Sequence, residues 1–224
     1  MKRIFAAALL ISFATTADAQ VRRRVPRVPE PAAWVSAGIG LFNGNDVSDG
    51  STESTWDFGR ARNTQYRASF EKAVSRTASI GLTGSYVRLP FTYIGNGPAA
   101  SCSRCAAHMD MIAAAASFHV GGGTGLHQVL EGSAGALQYR NFRRDSDKAS
   151  LAPSNGNIDP YFTVGYGFGY SFDAITQVSV VQDFGIALHE RSGLTSEQSN
   201  TLTQRTIRLN FRYGFGTRSC RNCR

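Results

Sequence analysis

The segment of residues 205–216, near the end of the chain, most strongly constrains what the protein can fold into. Large apolar side chains occupy every second position: Ile207, Leu209, Phe211, Tyr213 and Phe215. The positions between them carry small, polar or charged side chains: Thr206, Arg208, Asn210, Arg212 and Gly214. Because successive side chains of a strand point to opposite faces, this segment predicts a β-strand with one aromatic face and one polar face.

The same alternation recurs along the chain, most clearly in residues 160–172, where aromatic and aliphatic side chains alternate with glycine, serine and threonine. The pattern predicts eight strands: 34–42, one within 56–74, 79–88, 108–120, one within 126–142, 160–172, 177–189 and 205–216. In 108–120, Ile112 and Phe118 are predicted to face outward. This assignment is uncertain because the opposite face also carries large apolar side chains, Met109 and Met111. Residues 126–142 show no clear alternation, which suggests a β-bulge.

The connections between these strands alternate in length. Polar segments at 43–55, 89–107, 143–159 and 190–204 are long, whereas the turns near 75–78, 121–123 and 173–176 are short. An even strand number with this alternation is typical of up-and-down outer-membrane barrels, which have long extracellular loops and short periplasmic turns. A soluble barrel would bury its aromatic side chains instead of its glycines. We therefore predict an all-β fold: an eight-stranded antiparallel transmembrane β-barrel over residues 34–216, in the cell outer membrane.

The two ends of the chain are predicted to lie outside the barrel. Lys2 and Arg3 precede an apolar run at 4–14 and the small-residue sequence Ala17-Asp18-Ala19, which together predict a signal peptide at residues 1–19. That run is shorter than the roughly 20 residues of a spanning helix. Residues 20–33 are rich in proline and arginine and predict an extended periplasmic segment. Residues 217–224 form a basic, cysteine-containing tail on the same side.

The formal net charge of +8 is concentrated in these two ends. The arginines concerned are Arg22, Arg23, Arg24, Arg27, Arg218, Arg221 and Arg224. A nucleic-acid-binding protein would carry its basic residues on the folded domain with aromatic residues among them, so we expect no nucleic-acid partner. Instead, the arginines predict periplasmic contacts with peptidoglycan or an acidic partner. The alternative is that both ends are solvated tails without a partner.

The chain resembles the small eight-stranded outer-membrane barrels of the OmpA, OmpX and OmpW kind. The resemblance covers residues 34–215, and its most specific part is the closing strand with its alternating Ile207, Leu209, Phe211, Tyr213 and Phe215. In that family, a strand of this type resembles the signal read by the outer-membrane insertion machinery and usually ends in the aromatic residue. Here nine residues follow Phe215. The resemblance implies the insertion machinery and outer-membrane lipid as partners. It indicates a location in the outer membrane more firmly than it indicates any activity.

The chain contains two CxxC pairs, Cys102/Cys105 and Cys220/Cys223. Two such pairs often hold zinc or an iron–sulfur cluster. The predicted topology separates them by a hydrocarbon layer about 25 Å tall, whereas zinc–sulfur bonds are about 2.3 Å long. Neither pair is followed by the histidine of a haem-attachment motif. We expect two local disulfides and no cofactor or metal, with intermolecular pairing or metal capture by one pair as alternatives.

The predicted inner faces carry several charged side chains: Arg67, Glu71, Asp183, Arg208 and Arg212, with Glu131 as a further candidate. An eight-stranded barrel is just wide enough for side chains to fill it. An unpaired buried charge costs several kcal/mol, so we expect these residues to form a paired polar plug. A gated ion path is the alternative, and no large pore fits.

His189, Glu190 and Ser192 lie together at the end of the seventh predicted strand. A histidine beside an acid and a serine can perform acyl transfer, and some barrels of the class that the chain resembles are lipid A-modifying enzymes. A single sequence of this type at a loop edge is more typical of a solvated rim, so we expect no catalytic residue. The expected function is a non-catalytic structural, adhesive or envelope-contact role. The alternatives are a lipid A-type acyl hydrolase and a narrow ion or solute conductance.

Overall fold

A computed structural model describes residues 30–59, 63–98, 100–152, 158–189 and 201–217 of the chain. Ten strands occur in this part: β1 Ala33–Gly44, β2 Val47–Asp49, β3 Ser54–Asp57, β4 Asn63–Ala73, β5 Ala78–Gly95, β6 Arg104–Val120, β7 Gly125–Arg144, β8 Ile158–Ser171, β9 Thr176–Leu188 and β10 Thr201–Phe215. Among the described residues, no helix is long and apolar enough to cross a membrane. The predicted signal peptide, residues 20–29 and residues 218–224 lie outside the described residues.

The eight long strands close into one antiparallel barrel. Each pairs with the next long strand along the chain, and β1 pairs with β10 over the full length of β1, from Ala33 opposite Phe215 to Gly44 opposite Gln204. Closure leaves no long strand with an unpaired edge, which satisfies the backbone N–H and C=O groups without water. The predicted eight-stranded up-and-down barrel is therefore confirmed.

Large apolar side chains cover the outside of the barrel. On β8, Phe162, Val164, Tyr166, Phe168 and Tyr170 are each about half exposed, while the residues between them are buried. The same outward alternation occurs on β1, β4, β5, β9 and β10. A soluble monomer does not expose an apolar surface of this extent. This belt is the surface that meets lipid, and the face assignments made from the alternation are confirmed, including Ile112 and Phe118 outward on β6.

All long connections meet at one end of the barrel, the loop end, and all short turns meet at the other, the turn end. The turn between β8 and β9 is fixed by Asp173. Its carboxylate accepts hydrogen bonds from the backbone N–H groups of Ile175 at 2.8 Å and Thr176 at 2.6 Å. These bonds lower the pKa of Asp173, because they stabilise its charged form. The side chain of Asp173 therefore stabilises this short turn locally.

The prediction of a long loop at 89–107 is wrong. β5 runs to Gly95 and β6 begins at Arg104, so the two strands extend well above the predicted boundary. Pro90 suggested a loop, since proline removes a ladder donor. The strand continues because Leu89, Phe91 and Tyr93 on alternate positions are buried in the barrel. Burial of a large apolar side chain stabilises by about 1.5–3 kcal/mol, which outweighs one missing hydrogen bond.

The first long connection is also more ordered than the sequence predicted. Residues 43–55 were expected to form a polar loop, but β2 and β3 form a small hairpin there, and β3 pairs with the upper part of β5. Trp56, placed at the start of the second predicted strand, belongs to β3 and is fully buried. The long strand β4 begins only at Asn63. The hairpin lies over the mouth of the barrel and inserts Trp56 into it.

The irregularity predicted for the fifth strand is present in β7. The pairing of β6 with β7 shifts register between His108 and Asp110, and Asn141 opposite this point has a φ of 55°. An asparagine tolerates this left-handed conformation better than most residues. Below the bulge, His127, Val129 and Glu131 face the interior. The bulge affects only the upper end of β7. Below it the faces alternate regularly, but the apolar Leu137 and Tyr139 point inward and Gln128 points outward, which hides the alternation in the sequence.

Candidate functional site

The interior of the barrel contains two layers of charged side chains. The layer nearer the turn end is built around Arg212. Its Nη2 donates to Glu71 Oε2 at 2.6 Å, and its guanidinium lies over the ring of Trp34, 4.2 Å from the centroid. Glu71 also accepts a hydrogen bond from the hydroxyl of Ser79. These side chains are buried, so the ion pair and the cation–π contact replace the water that Arg212 has lost.

The second layer lies nearer the middle of the barrel and is built around Arg208. Its Nη2 donates to Glu131 Oε2 at 2.5 Å, and its Nε donates to Asp183 Oδ2 at 3.0 Å. Arg67 lies against the same two carboxylates, 3.7 Å from Asp183 Oδ2 and 3.8 Å from Glu131 Oε2. His119 Nδ1 is 3.1 Å from Glu131 Oε1. Two arginines thus face two carboxylates in a space that is almost closed to solvent.

The structure places all the charged residues predicted for the interior inside the barrel, in these two layers. It brings together Arg67, Glu131, Asp183 and Arg208, and it places Glu71 with Arg212. Sequence reasoning did not include His119 in this network. The alternation on β6 could have revealed it, because His119 lies on the same side of the strand as Met109 and Met111. The sequence alone left uncertain whether that side faces inward. The interior is therefore a paired network, as the cost of an unpaired buried charge requires.

Glycines on the inner face make room for the arginines. A Cβ at Gly38 would lie 2.9 Å from Asn210 Oδ1 and 3.0 Å from Arg208 Cδ. On the neighbouring side, a Cβ at Gly165 would clash with Asp183 Oδ1. The small inner residues of β1 and β8 are thus complementary to the long side chains of β9 and β10. A small cavity beside Arg67 and Asp183, lined in part by Gln65, Thr83 and Tyr161, has a volume of about 10 Å³. That is the space of about one water molecule.

Above the charged layers, the loop end of the barrel is filled by an apolar cap. Its members are buried side chains of the long strands, of the β2–β3 hairpin and of the connections that follow β3 and β7: Phe42, Trp56, Phe58, Val87, Leu89, Phe91, Tyr93, Met109, Met111, Leu137, Tyr139, Phe142, Leu151 and Leu202. Trp56 is at the centre, with ring centroids 4.8 Å from Phe142 and 5.4 Å from Tyr139. Contacts of this kind add about 0.5–1.5 kcal/mol each to the burial of area. The cap closes the mouth.

His189 belongs to this cap and does not lie at a solvated rim. Its Nδ1 is 2.8 Å from Asp159 Oδ2, and its ring packs on Trp56 with a centroid distance of 4.9 Å. Both residues of the pair are buried. Sequence reasoning did not find Asp159 as the partner, because the two residues lie on different strands and 30 positions apart. Glu190 and Ser192, the other members of the predicted acyl-transfer group, lie outside the described residues.

Cys102 and Cys105 are joined by a disulfide with an S–S distance of 2.04 Å. The pair bridges the end of the β5–β6 connection and the start of β6, where both residues pack against the apolar cap. Cys220 and Cys223 lie outside the described residues, as do the arginines of both chain ends. In the part of the chain that the structure describes, no group of three or more His, Cys, Asp or Glu side chains could hold a metal ion.

No protein-family model and no curated protein matches the sequence. Solved structures do match the fold. Neisserial surface protein A is similar with a TM-score of 0.51 and 10% identity, over 82% of this chain and 97% of that one. The outer membrane protein AlkL matches with a TM-score of 0.46 and 13% identity, over 91% and 99%. OprG from Pseudomonas aeruginosa matches with a TM-score of 0.43 and 11% identity, over 83% and 98%.

The closed barrel, its lipid-facing belt and the likeness to Neisserial surface protein A agree with one another. The chain has the architecture of the small eight-stranded outer-membrane β-barrels, and it is an outer-membrane protein. Because outer-membrane barrels have long extracellular loops and short periplasmic turns, we expect the loop end to be extracellular and the turn end to be periplasmic. At 10% identity the likeness gives the architecture and not a role.

Proposed function

We propose that this chain is a non-conducting, non-catalytic barrel with a structural, adhesive or envelope-contact role that it performs through its two ends. The observation that carries this proposal is the filling of the lumen at two levels, by the ion pairs around Arg208 and by the apolar cap around Trp56. Ions could pass through the barrel only if both the ion pairs around Arg208 and the apolar cap moved aside. Separating buried charged partners is costly, because each is then left without compensation.

The length of three strands supports a role at the cell surface. β5, β6 and β7 have 18, 17 and 20 residues, whereas about 9–11 residues of a tilted strand span the hydrocarbon. Their upper parts therefore extend beyond the membrane as a stiff wall that holds the β2–β3 hairpin and the Cys102–Cys105 disulfide. A wall held by strand pairing and a disulfide suits presentation of a contact surface.

Planar-bilayer recordings of the refolded full chain test this proposal. We expect no unitary current steps, because the ion pairs around Arg208 and the apolar cap around Trp56 fill the lumen at two levels. Folding is checked separately by heat-modifiable gel mobility, so that an unfolded sample is not read as a closed barrel. Reproducible steps from the folded protein would support the alternative, a narrow conductance, and contradict the proposal.

The hydrolase alternative has its own test. Lipid A from cells with the wild-type protein, with His189→Asn and without the protein is compared by mass spectrometry. We expect the same acylation in all three, because His189 packs within the apolar cap beside Asp159 and is buried. Loss of an acyl chain that needs the wild-type protein and is absent with His189→Asn would identify an enzyme.

We also propose that the basic chain ends contact peptidoglycan or another acidic periplasmic partner. The supporting observation is that both ends leave the barrel together, since the N–H of Ala32 donates to the carbonyl of Phe215 at 3.0 Å. Attraction to a charged surface is about 1 kcal/mol per basic residue and fades beyond a Debye length. Cross-linking in cells should recover the partner with the wild-type chain.

The matched variant replaces Arg22, Arg23, Arg24, Arg27, Arg218, Arg221 and Arg224 by glutamine. We expect it to lose the cross-link while its barrel still assembles, as judged by heat-modifiable mobility. Recovery that does not change with the substitutions, or with salt in a detergent pull-down, would leave the chain ends without this role.

A further inference from the structure

One side of the lipid-facing surface carries a groove instead of large side chains. Gly84 on β5, Ala114 on β6 and Ala136 on β7 lie side by side across the strands, and all three are exposed. Ala116 and Ala134 form the next row towards the periplasm. A groove with a volume of about 700 Å³ begins at this second row and continues past Gly132 towards the turn end. Its walls are apolar side chains: Ile80, Leu82, Phe118, Phe162 and Val164.

A cluster of arginines lies above this groove on the same strands, with the row of Ala114 between the cluster and the groove. Arg88 on β5 and Arg140 on β7 flank Asp110 of β6 in one cross-strand row. This row is six residues from the row of Ala116, where the groove begins, or about 20 Å along the strand at about 3.3 Å per residue. Arg143 is in the row above, opposite His108. The arginines are exposed and lie at the extracellular edge of the apolar belt.

The neighbouring acidic side chains do not neutralise these arginines. Asp110 Oδ1 accepts the hydroxyl of Tyr86 at 3.0 Å, and Asp110 Oδ2 accepts the amide of Asn141 at 2.6 Å. Among the described residues, no carboxylate oxygen lies within 4.0 Å of a guanidinium nitrogen of Arg88 or Arg140.

The acidic residues of the loop after β7 already have basic partners. Asp147 pairs with Arg144 at 2.6 Å, and that guanidinium lowers the pKa of Asp147. Asp145 lies 2.7 Å from His108 Nδ1 and 3.7 Å from Lys148 Nζ. Arg143 donates to the backbone carbonyl of Lys148, which leaves its charge uncompensated. The three guanidinium groups of Arg88, Arg140 and Arg143 outnumber the one neighbouring carboxylate without a basic partner, that of Asp110, so the cluster keeps a net positive charge that can attract an anion.

We propose that the outer face of β5–β8 binds one phosphorylated glycolipid of the outer leaflet, with the chemistry of lipid A. Its phosphates contact Arg88 and Arg140, and one of its acyl chains passes over Ala114 into the groove beside Ala116 and Ala134. The vertical order of the site, with cations above and an apolar groove below, is the order of headgroup and chain in such a lipid. Guanidinium groups suit this role because they bind phosphate with two parallel hydrogen bonds.

The spacing of the arginines favours a headgroup with two phosphates over a single phosphodiester. β5 and β7 are separated by β6, so Arg88 and Arg140 are about 10 Å apart at a strand spacing of about 4.8 Å. A second copy of the chain fits the face less well. In a two-fold interface the same patch faces itself, which brings the arginine rows of both copies together. The charges therefore favour an anionic lipid as the occupant.

The test uses the refolded full chain in detergent with purified bis-phosphorylated lipid A as the probe, and it counts bound lipid by native mass spectrometry. We expect one retained lipid on the wild-type protein. The double variant Arg88→Gln/Arg140→Gln should bind at least about tenfold more weakly, since each basic residue contributes to the attraction. Its matched control is Arg76→Gln/Arg205→Gln, which removes two exposed arginines elsewhere on the barrel and should change binding by less than about twofold.

A second pair of variants tests the groove. Ala134→Leu places an apolar side chain in the groove and should weaken lipid A binding several-fold without exposing a polar group. Ala37→Leu makes the same change on the outer face of β1 and should have no effect. Both variants keep the charge of the protein, so they separate the acyl contact from the headgroup contact.

Several results would overturn the proposal. Dephosphorylated lipid A and phosphatidylglycerol should both bind weakly. Binding of either as strong as that of bis-phosphorylated lipid A would exclude recognition of two phosphates. Displacement of lipid A by pyrophosphate alone would show a free-anion site. Equal losses in the test and control variants would show non-specific attraction, and a stable dimer that excludes lipid would show that a second chain covers the face. Heat-modifiable mobility confirms that each variant is folded.

Discussion

The guanidinium of Arg212 donates to the carboxylate of Glu71 across 2.6 Å, although 141 positions separate the two residues in the chain. They meet because β1 pairs with both β10 and β4, so closure of the barrel places Arg212 and Glu71 on two strands that flank β1. This ion pair therefore connects the last strand to the first hairpin of the barrel. It also closes the periplasmic end of the lumen together with Trp34.

Glu71→Gln should destabilise the barrel by about 3–5 kcal/mol, because it leaves the buried Arg212 without a counter-charge. The free energy of unfolding is measured by urea titration of the refolded protein in lipid vesicles, followed by tryptophan fluorescence. The double variant Glu71→Gln/Arg212→Gln should recover part of the loss, since no lone charge remains.

The matched control for that prediction is Arg76→Gln. Arg76 pairs with Glu30, but its side chain is 80% exposed, and exposed pairs contribute about 0–1 kcal/mol. If Glu71→Gln costs no more than Arg76→Gln, the interior pair does not hold the barrel together.

Phe168→Arg should impair folding into the membrane by about 2–4 kcal/mol if the residue lies near the midplane. Phe168 is 54% exposed on the outside of β8, within the apolar belt. Phe168→Leu is the control, because it keeps an apolar side chain at the same position. Folding yield and unfolding free energy in vesicles are compared for both variants. Similar values for the two would mean that this face does not meet lipid.

Gly167→Ala should destabilise the barrel by about 1–3 kcal/mol, the usual cost of overpacking. A Cβ at Gly167 would clash with the backbone carbonyl oxygen of Val180, which cannot move aside as a side chain can. Gly84→Ala is the same chemical change at an open site, where the nearest atom is 3.7 Å away. We expect little change in the urea midpoint of Gly84→Ala. A smaller cost at Gly167 than at Gly84 would contradict the close approach of β8 and β9.

The two cysteine pairs should be separated by the membrane. A bulky, membrane-impermeant thiol reagent, applied to intact cells after reduction, should label Cys102 and Cys105 and spare Cys220 and Cys223. Labelled positions are read by peptide mass spectrometry, with lysed cells as the control in which all four react. An intrachain Cys102–Cys220 disulfide would overturn the topology, because it would require both pairs on one side.

The alternation of side chains gave the faces of the barrel correctly where it was regular. On β8 and β10 it assigned the outward aromatic residues and the inward arginines, because side-chain direction along a strand depends only on the local backbone. It was uncertain on β7, where the apolar Leu137 and Tyr139 point inward and Gln128 points outward, so that polarity does not follow the two faces. The inner charges were identified as a group for the same reason, and their pairing was expected from the cost of burying a lone charge.

The sequence by itself determined the fold class, the lipid-facing belt and the list of interior charges, since all three follow from a period of two. Only the tertiary structure decided which residues meet. The register of strands that are distant in sequence brings Asp159 to His189, places Trp56 over the mouth instead of in a long strand, and aligns Arg88 with Arg140 above the alanine groove. Register depends on how all eight strands close into a ring, and no local pattern contains that information.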